Sequence, residues 1–242
     1  MNLIADIGNS SCKLAFMVNG EVKAIHRIEN IDTLQLAQIL PKEKKIDKAI
    51  VSSVGMPAEQ FAKLLSPFSP SLLVFNAETK TPLTIDYESR ATLGADRLAA
   101  AVGANYLFPN RTVLVVDFGT AITIDLVSND AHFKGGNISP GLTTRFKALH
   151  HFTQRLPLLE TSIDEVPLLG QSTQQAIKAG VQKGIEFEIE GYINQLSAIY
   201  PDLLILFTGG DAELFARTLK NNIFADSFLV LKGLNRILEY NA

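Results

Sequence analysis

The sequence predicts an α/β protein of two matched halves, each a mixed β-sheet flanked by helices. The first observation is a repeat. Asn2-Leu3-Ile4-Ala5-Asp6-Ile7-Gly8-Asn9-Ser10-Ser11 near the start and Val113-Leu114-Val115-Val116-Asp117-Phe118-Gly119-Thr120-Ala121 midway share one plan. Each is a short apolar strand, then Asp-x-Gly, then small hydroxyl or amide residues, then a second apolar stretch. Asp6 and Asp117 stand close to half the chain apart. The second observation is the alternation of strand and helix signals in both halves, an order that gives sheets covered by helices. The third is composition. Of 242 residues 47% are apolar and 19% charged, which suits a packed core rather than a disordered chain.

Strands fit Asn2–Ile7, Lys13–Val18 and Val22–Ile28, short apolar runs separated by turn residues. A helical pattern covers 34–40, and a strand fits 49–53. Pro57 suits the first turn of a helix, which carries Phe61, Leu64 and Leu65 at helical spacing. Leu72–Phe75 reads as a short buried strand and Leu98–Leu107 as an alanine-rich helix. The second half repeats the plan, with strands at 112–116, 122–127 and 131–134, and helices at 142–150 and 173–199. Leu203–Phe207 is a buried strand, Ala212–Leu219 a helix and Leu234–Glu239 a last helix. The seam falls at Phe108-Pro109-Asn110-Arg111, giving domains 1–110 and 111–242 that pack face to face with the ligand between them.

The net charge of −3 offers no electrostatic case for nucleic acid or an anionic membrane surface. Cys12 is the single cysteine, which excludes an internal disulfide and a Cys-rich zinc site; it reads as a small buried hydrophobe. No basic region precedes an apolar run at the start, and no apolar stretch nears the roughly 20 residues that span a bilayer. A cytoplasmic location is expected.

Glycine lets a turn approach a ligand closely, and free N–H groups in such a turn form an anion-binding concavity. Two such turns could grip one polyphosphate from both sides; two ordinary Asp-Gly hairpin turns would share the pattern. Asp6, Asp117 and Asp125 lie near them. Around a triphosphate such acids hold cations; the alternative for Asp125 is a strand-surface acid. Gly94-Ala95-Asp96-Arg97 opens the alanine-rich helix, where N–H groups favour anions. Asp96 suits either a helix cap or a base beside an anionic substrate. Gly135-Gly136-Asn137-Ile138-Ser139-Pro140-Gly141 reads as a second glycine loop and Thr208-Gly209-Gly210-Asp211 as a third. Neither the P-loop nor the dinucleotide-binding fingerprint is present.

Taken in order, Asp-x-Gly-Asn-Ser at 6–10, Gly-Ala-Asp-Arg at 94–97, Asp-Phe-Gly-Thr-Ala-Ile-Thr-Ile-Asp at 117–125, the loop at 135–141 and Thr-Gly-Gly-Asp at 208–211 resemble type III pantothenate kinase. That family belongs to the acetate kinase/sugar kinase/Hsp70/actin superfamily. The resemblance implies two ribonuclease-H-like domains with the active site in the cleft between them. It implies ATP-dependent phosphorylation of pantothenate, the first step toward coenzyme A, with a monovalent cation (potassium or ammonium) and Mg2+. By the same resemblance Asp6, Ile7, Gly8, Asn9, Ser10, Ser11, Cys12 and Lys13 line the ATP phosphates and Thr120 touches them. Asp117 holds the monovalent cation. Tyr87, Gly94, Ala95, Asp96, Arg97 and Thr173 surround pantothenate, with Asp96 as base. The family usually has threonine where Ser10 stands, so a hydroxyl is kept.

A primary alcohol is far too weak an acid to be ionised outright by a carboxylate of reference pKa about 3.9. Phosphoryl transfer has a loose transition state, so the proton need leave only late. Two other functions fit parts of the pattern: a superfamily kinase for another small hydroxyl or carboxylate, and a non-enzymatic regulator. Asp96, Asp117 and both glycine turns argue against the regulator. The long helix carries Ile177, Val181, Ile185, Ile189 and Ile193 at spacings of four, with Phe187 and Tyr192 off that stripe. Such a stripe is buried in its own domain or shared with a partner. The resemblance implies a homodimer with Thr173 reaching the neighbour's pantothenate.

Overall fold

In the computed structural model the first strand, β1 (Asn2–Ile7), has a buried run at Leu3, Ile4 and Ala5, so it lies inside its sheet. The structure describes residues 1–8, 12–28, 39, 46–54, 57–160, 166–219 and 221–242. The chain forms two compact units. One comprises Met1–Asn110, Asp130–Lys134 and Phe228–Ala242; the other comprises Arg111–Asn129 and Gly135–Ser227.

In the first unit β1 pairs antiparallel with β2 (Cys12–Val18), which pairs antiparallel with β3 (Glu21–Ile28). On its other side β1 runs parallel to β4 (Lys48–Ser53). Helix α1 (Ala58–Leu65) crosses to β5 (Leu72–Val74), parallel to β4, burying Phe61, Ala62 and Leu65. The sheet order is therefore β3-β2-β1-β4-β5. A two-residue strand β6 (Thr84–Ile85) and a single tight turn (Arg90–Thr92) lead to α2 (Ala95–Leu107). One face of α2 is nearly all alanine and glycine, which brings another helix close.

The same strand plan recurs later in the chain. β7 (Val113–Phe118) pairs antiparallel with β8 (Ala121–Val127), and β9 (His132–Pro140) takes the place of β3. Two helices follow, α3 (Leu142–Phe152) and α4 (Thr173–Ile199). β10 (Leu204–Gly209) runs parallel to β7, α5 (Ala212–Thr218) follows, and β11 (Ile223–Ala225) runs parallel to β10. The order β9-β8-β7-β10-β11 matches β3-β2-β1-β4-β5, with β6 added as a sixth strand beyond β9. The last helix, α6 (Leu229–Tyr240), belongs to the first unit, where it packs on α2, β1 and β4. The side chain of Asn2 donates to buried Asn235 at 2.8 Å, tying β1 to α6.

Several expectations change. The last helix starts five residues before Leu234 and groups with the first unit rather than with 111–242, because its Gly233 and Leu229 face small residues of α2. The stretch 135–140 is strand, not loop: β9 runs on through both glycines. β6 and β11 were not anticipated; two or three residues carry no periodicity. The helix expected over 34–40 lies outside the described residues except for Ile39. The isoleucine stripe of α4 is buried among Leu114, Phe146, Phe207 and Phe215 within the second unit, so it packs inside the chain rather than against a partner.

Candidate active site

In the first unit Asp6 sits near the end of β1, between Lys13 on β2 and Ser52 on β4 by register. The antiparallel pairing puts a cation directly beside the acid. Burial raises the Asp6 carboxyl above the ordinary carboxylate range; Lys13 opposes that shift, and the charge of Asp96 adds to it. Asp96 is therefore an electrostatic neighbour of Asp6. Ile7 is buried and accepts a bond from Val54 N–H at 3.0 Å, anchoring the strand end at Gly8. Cys12 is 3% exposed, its thiol pushed up to about 12 by burial and by Asp6, so it is an inert hydrophobe as expected. Asn9, Ser10 and Ser11 lie outside the described residues.

A raised carboxyl pKa has a definite sign. The uncharged acid is favoured in the folded state, so the Asp6 contribution is favourable below the unfolded carboxylate pKa and is lost as pH rises through the folded one. At neutral pH the charged acid destabilises the ligand-free protein. Asp6→Asn is thus expected to raise the thermal midpoint at pH 7 relative to the parent, with a smaller gain at acid pH, while lowering turnover. Scanning calorimetry of both proteins across pH checks this; equal midpoints at pH 7 would contradict it.

Asp96 stands in the first turn of α2, but the residue at the cap position is Gly94. The helix-cap reading of Asp96 is corrected accordingly. Its Oδ1 accepts the N–H of Arg97 at 2.8 Å, which fixes the carboxylate against the helix start. A Cβ on Gly94 would sit 2.6 Å from that oxygen, so a side chain there would displace the carboxylate. Arg97 is buried, and its guanidinium carbon lies 5.5 Å from the ring centre of Tyr87. Gly94, Ala95, Asp96, Arg97 and Tyr87 thus converge in the first unit.

In the second unit the Phe118 ring stacks on Phe215 and meets Phe207 edge-on, both at 4.8 Å between centres. Each such pair contributes about 0.5–1.5 kcal/mol beyond burial. This anchor holds Asp117 and Gly119 on either side of it. The N–H of Gly119 donates to the Ala121 carbonyl at 3.1 Å, closing the turn. The Thr120 carbonyl accepts from Gly141 N–H at 3.0 Å and from Thr144 Oγ1 at 2.6 Å, so the start of α3 braces the turn and the Thr120 side chain is exposed.

Both glycine segments lie close against the β7–β8 hairpin. A Cβ on Gly136 would collide with the Ile124 carbonyl and with Asp125 Oδ1, so only glycine lets β9 lie in here. Asp125 is 1% exposed, which overturns its reading as a strand-surface acid. Gly209 has φ +95°, and a Cβ on it would run into Asp117 Oδ1 and the Phe118 carbonyl oxygen. Only glycine therefore lets the end of β10 lie against Asp117 and the Phe118 carbonyl. Burial also raises the Asp211 carboxyl, and its N–H donates to the Phe118 carbonyl at 3.3 Å. Arg145, not singled out from sequence, bonds the Pro140 carbonyl through Nε at 2.7 Å and pairs with Glu188, clamping the end of β9 to α3 and α4. Thr173 is exposed in the first turn of α4, whose cap is Ser172 with its Oγ accepting from Gln175 N–H at 3.3 Å. No helix among the described residues is long and apolar enough to cross a membrane.

A β-sheet order repeated in two copies defines the class of fold. A solved protein from Sinorhizobium meliloti, described as a 2-dehydro-3-deoxygalactonokinase, has this fold: TM-score 0.60, 12% identity, 99% of each chain covered. The chain belongs to the type III pantothenate kinase family, whose family model matches residues 2–195. It is 47% identical over 241 residues to a type III pantothenate kinase of Phocaeicola vulgatus, covering 100% of this chain and 99% of that protein. It is also similar to a solved Campylobacter jejuni protein described as a Baf family transcriptional activator (28% identity, TM-score 0.64), covering 99% of this chain and 98% of that one.

Proposed function

We infer that the protein phosphorylates pantothenate with ATP to give 4'-phosphopantothenate, the first step of coenzyme A synthesis. The observation that carries the reading is Asp96 held at the start of α2 beside Asp6 of the phosphate turn, in a member of this family. Asp96 orients the primary hydroxyl of pantothenate. As that oxygen bonds to the γ-phosphorus, the bond to the β-phosphate oxygen breaks, ADP leaves and the proton passes to Asp96.

Asp6 to Lys13 line the ATP phosphates and Thr120 touches them, while Tyr87, Gly94, Ala95 and Arg97 surround pantothenate. Mg2+ would supply charge neutralisation at the phosphates, and Asp6 is the buried carboxylate beside them that would help to hold it. Asp117 would hold a monovalent cation, potassium or ammonium. The protein works as a homodimer in the cytoplasm, with Thr173 of one subunit at the pantothenate site of the other. The dimer contact uses exposed apolar residues rather than the buried stripe; Phe187 on α4 is 57% exposed.

Coupled detection of ADP, with and without pantothenate, tests the function. ADP formation is expected only with pantothenate present. The cation enters the same assay: turnover is expected in potassium and not in sodium alone, and Asp117→Ala is expected to weaken both this dependence and ATP use. Equal rates in the two salts would contradict the Asp117 assignment. The regulator reading draws on the Campylobacter jejuni protein, and it predicts no ADP under any of these conditions.

A further inference from the structure

The segment Asp130–Lys134 belongs to the first unit although its neighbours in sequence belong to the second. It attaches there by β pairing. Thr84 and Ile85 run parallel to His132 and Phe133, and Asp86 N–H donates to the Phe133 carbonyl at 3.0 Å. Side chains reinforce the pairing on both sides of Phe133. The Asp86 carboxylate accepts from Lys134 Nζ at 2.8 Å and lies 3.0 Å from His132 Nδ1, and these contacts hold its carboxyl below the ordinary range.

What this brace delivers is the Phe133 ring. It is fully buried and meets Tyr87 edge-on at 6.0 Å. The guanidinium carbon of Arg97 lies 5.8 Å from the Phe133 centre and 5.5 Å from the Tyr87 centre. A guanidinium is attracted to aromatic faces, and two rings restrict a side chain that otherwise has large rotamer freedom. Arg97 adjoins Asp96, and its planar fork matches a carboxylate such as the one pantothenate carries.

The geometry points to Phe133 as a positioning residue that clamps Arg97 and Tyr87, with the Asp86–Lys134–His132 cluster holding the clamp shut, so that this brace sets pantothenate affinity. The inference rests on reading Tyr87 and Gly94 to Arg97 as the pantothenate site. Phe133 touches neither substrate nor the reacting atoms; it acts through Arg97. A plain core residue at this position would affect stability and nothing else.

Steady-state kinetics of Phe133→Leu, which keeps apolar volume and removes the ring, separates the two roles. A cation–π contact of about 0.5–2 kcal/mol corresponds, at about 1.36 kcal/mol per tenfold, to a rise in pantothenate KM of roughly 2- to 30-fold. The KM for ATP and kcat are expected to stay near parental values. Asp86→Asn leaves both rings in place and loosens the brace; it is expected to raise pantothenate KM in the same direction, by less. If Phe133→Leu folds, a lowered melting point with unchanged pantothenate KM overturns the proposal. If it does not fold, Asp86→Asn decides by the same criterion. A parent protein without pantothenate-dependent turnover would instead sink the reading of the site, a distinct failure.

Discussion

Asp96→Asn is expected to lower turnover by about 100- to 10,000-fold, the usual range for loss of a general base. The fold should survive, because an asparagine oxygen can still accept the Arg97 N–H that Asp96 Oδ1 takes at 2.8 Å. Removing the charge also relieves Asp6, whose carboxyl the Asp96 charge pushes up, so thermal stability should hold or rise. The same variant tests the shared site. Mixed with an inactive Thr173→Ala protein, it should regain activity, since one site of a hybrid dimer keeps both residues. Near-normal turnover of pure Asp96→Asn would reduce Asp96 to a structural acid at a helix start.

The second large effect concerns the helix that carries Asp96. In the first unit α2 and α6 cross at Gly103 and Gly233. A Cβ on Gly233 would collide with the Ala99 carbonyl, and one on Gly103 would sit 2.5 Å from the Leu229 carbonyl. Neither obstacle is a flexible side chain; both are backbone. Gly233→Ala is therefore expected to destabilise by roughly 1–3 kcal/mol, the range for overpacking, and to lower turnover by shifting α2. Gly180 on α4 is the control, since nothing lies within 4 Å of a Cβ there. Gly180→Ala should stabilise by about 0.4–1 kcal/mol through the unfolded chain. Urea midpoints of the two variants should move in opposite directions; a Gly233→Ala protein as stable as the parent would contradict the close crossing.

The duplicated plan was legible because it is local. Asp-x-Gly after an apolar strand is a turn signal, and its recurrence near mid-chain gave the matched sheet order now seen in both units. Gly-Ala-Asp-Arg was legible for the same reason, and α4 was placed to the residue by its spacing of apolar positions. The failures involve long-range partners. A surface position stayed open for Asp125 because alternation along β8 cannot reveal that β9 covers it. The glycines at 135–136 read as loop, yet they are strand residues chosen for close approach. Nothing local marks 130–134 as part of the first unit, since its partner strand β6 has only two residues. The role of α6 was hidden too: the helix expected from Leu234 left out Gly233, the residue at which it meets α2.

The central claim is that this chain moves the γ-phosphate of ATP onto the primary hydroxyl of pantothenate. Product analysis tests it most directly. The protein is incubated with ATP, Mg2+, potassium and pantothenate, and the products are identified by mass spectrometry and phosphorus NMR. The account predicts 4'-phosphopantothenate and ADP in equal amounts, with the phosphate on the primary hydroxyl. ADP and free phosphate with pantothenate unchanged, or no ATP consumption at all, would contradict it.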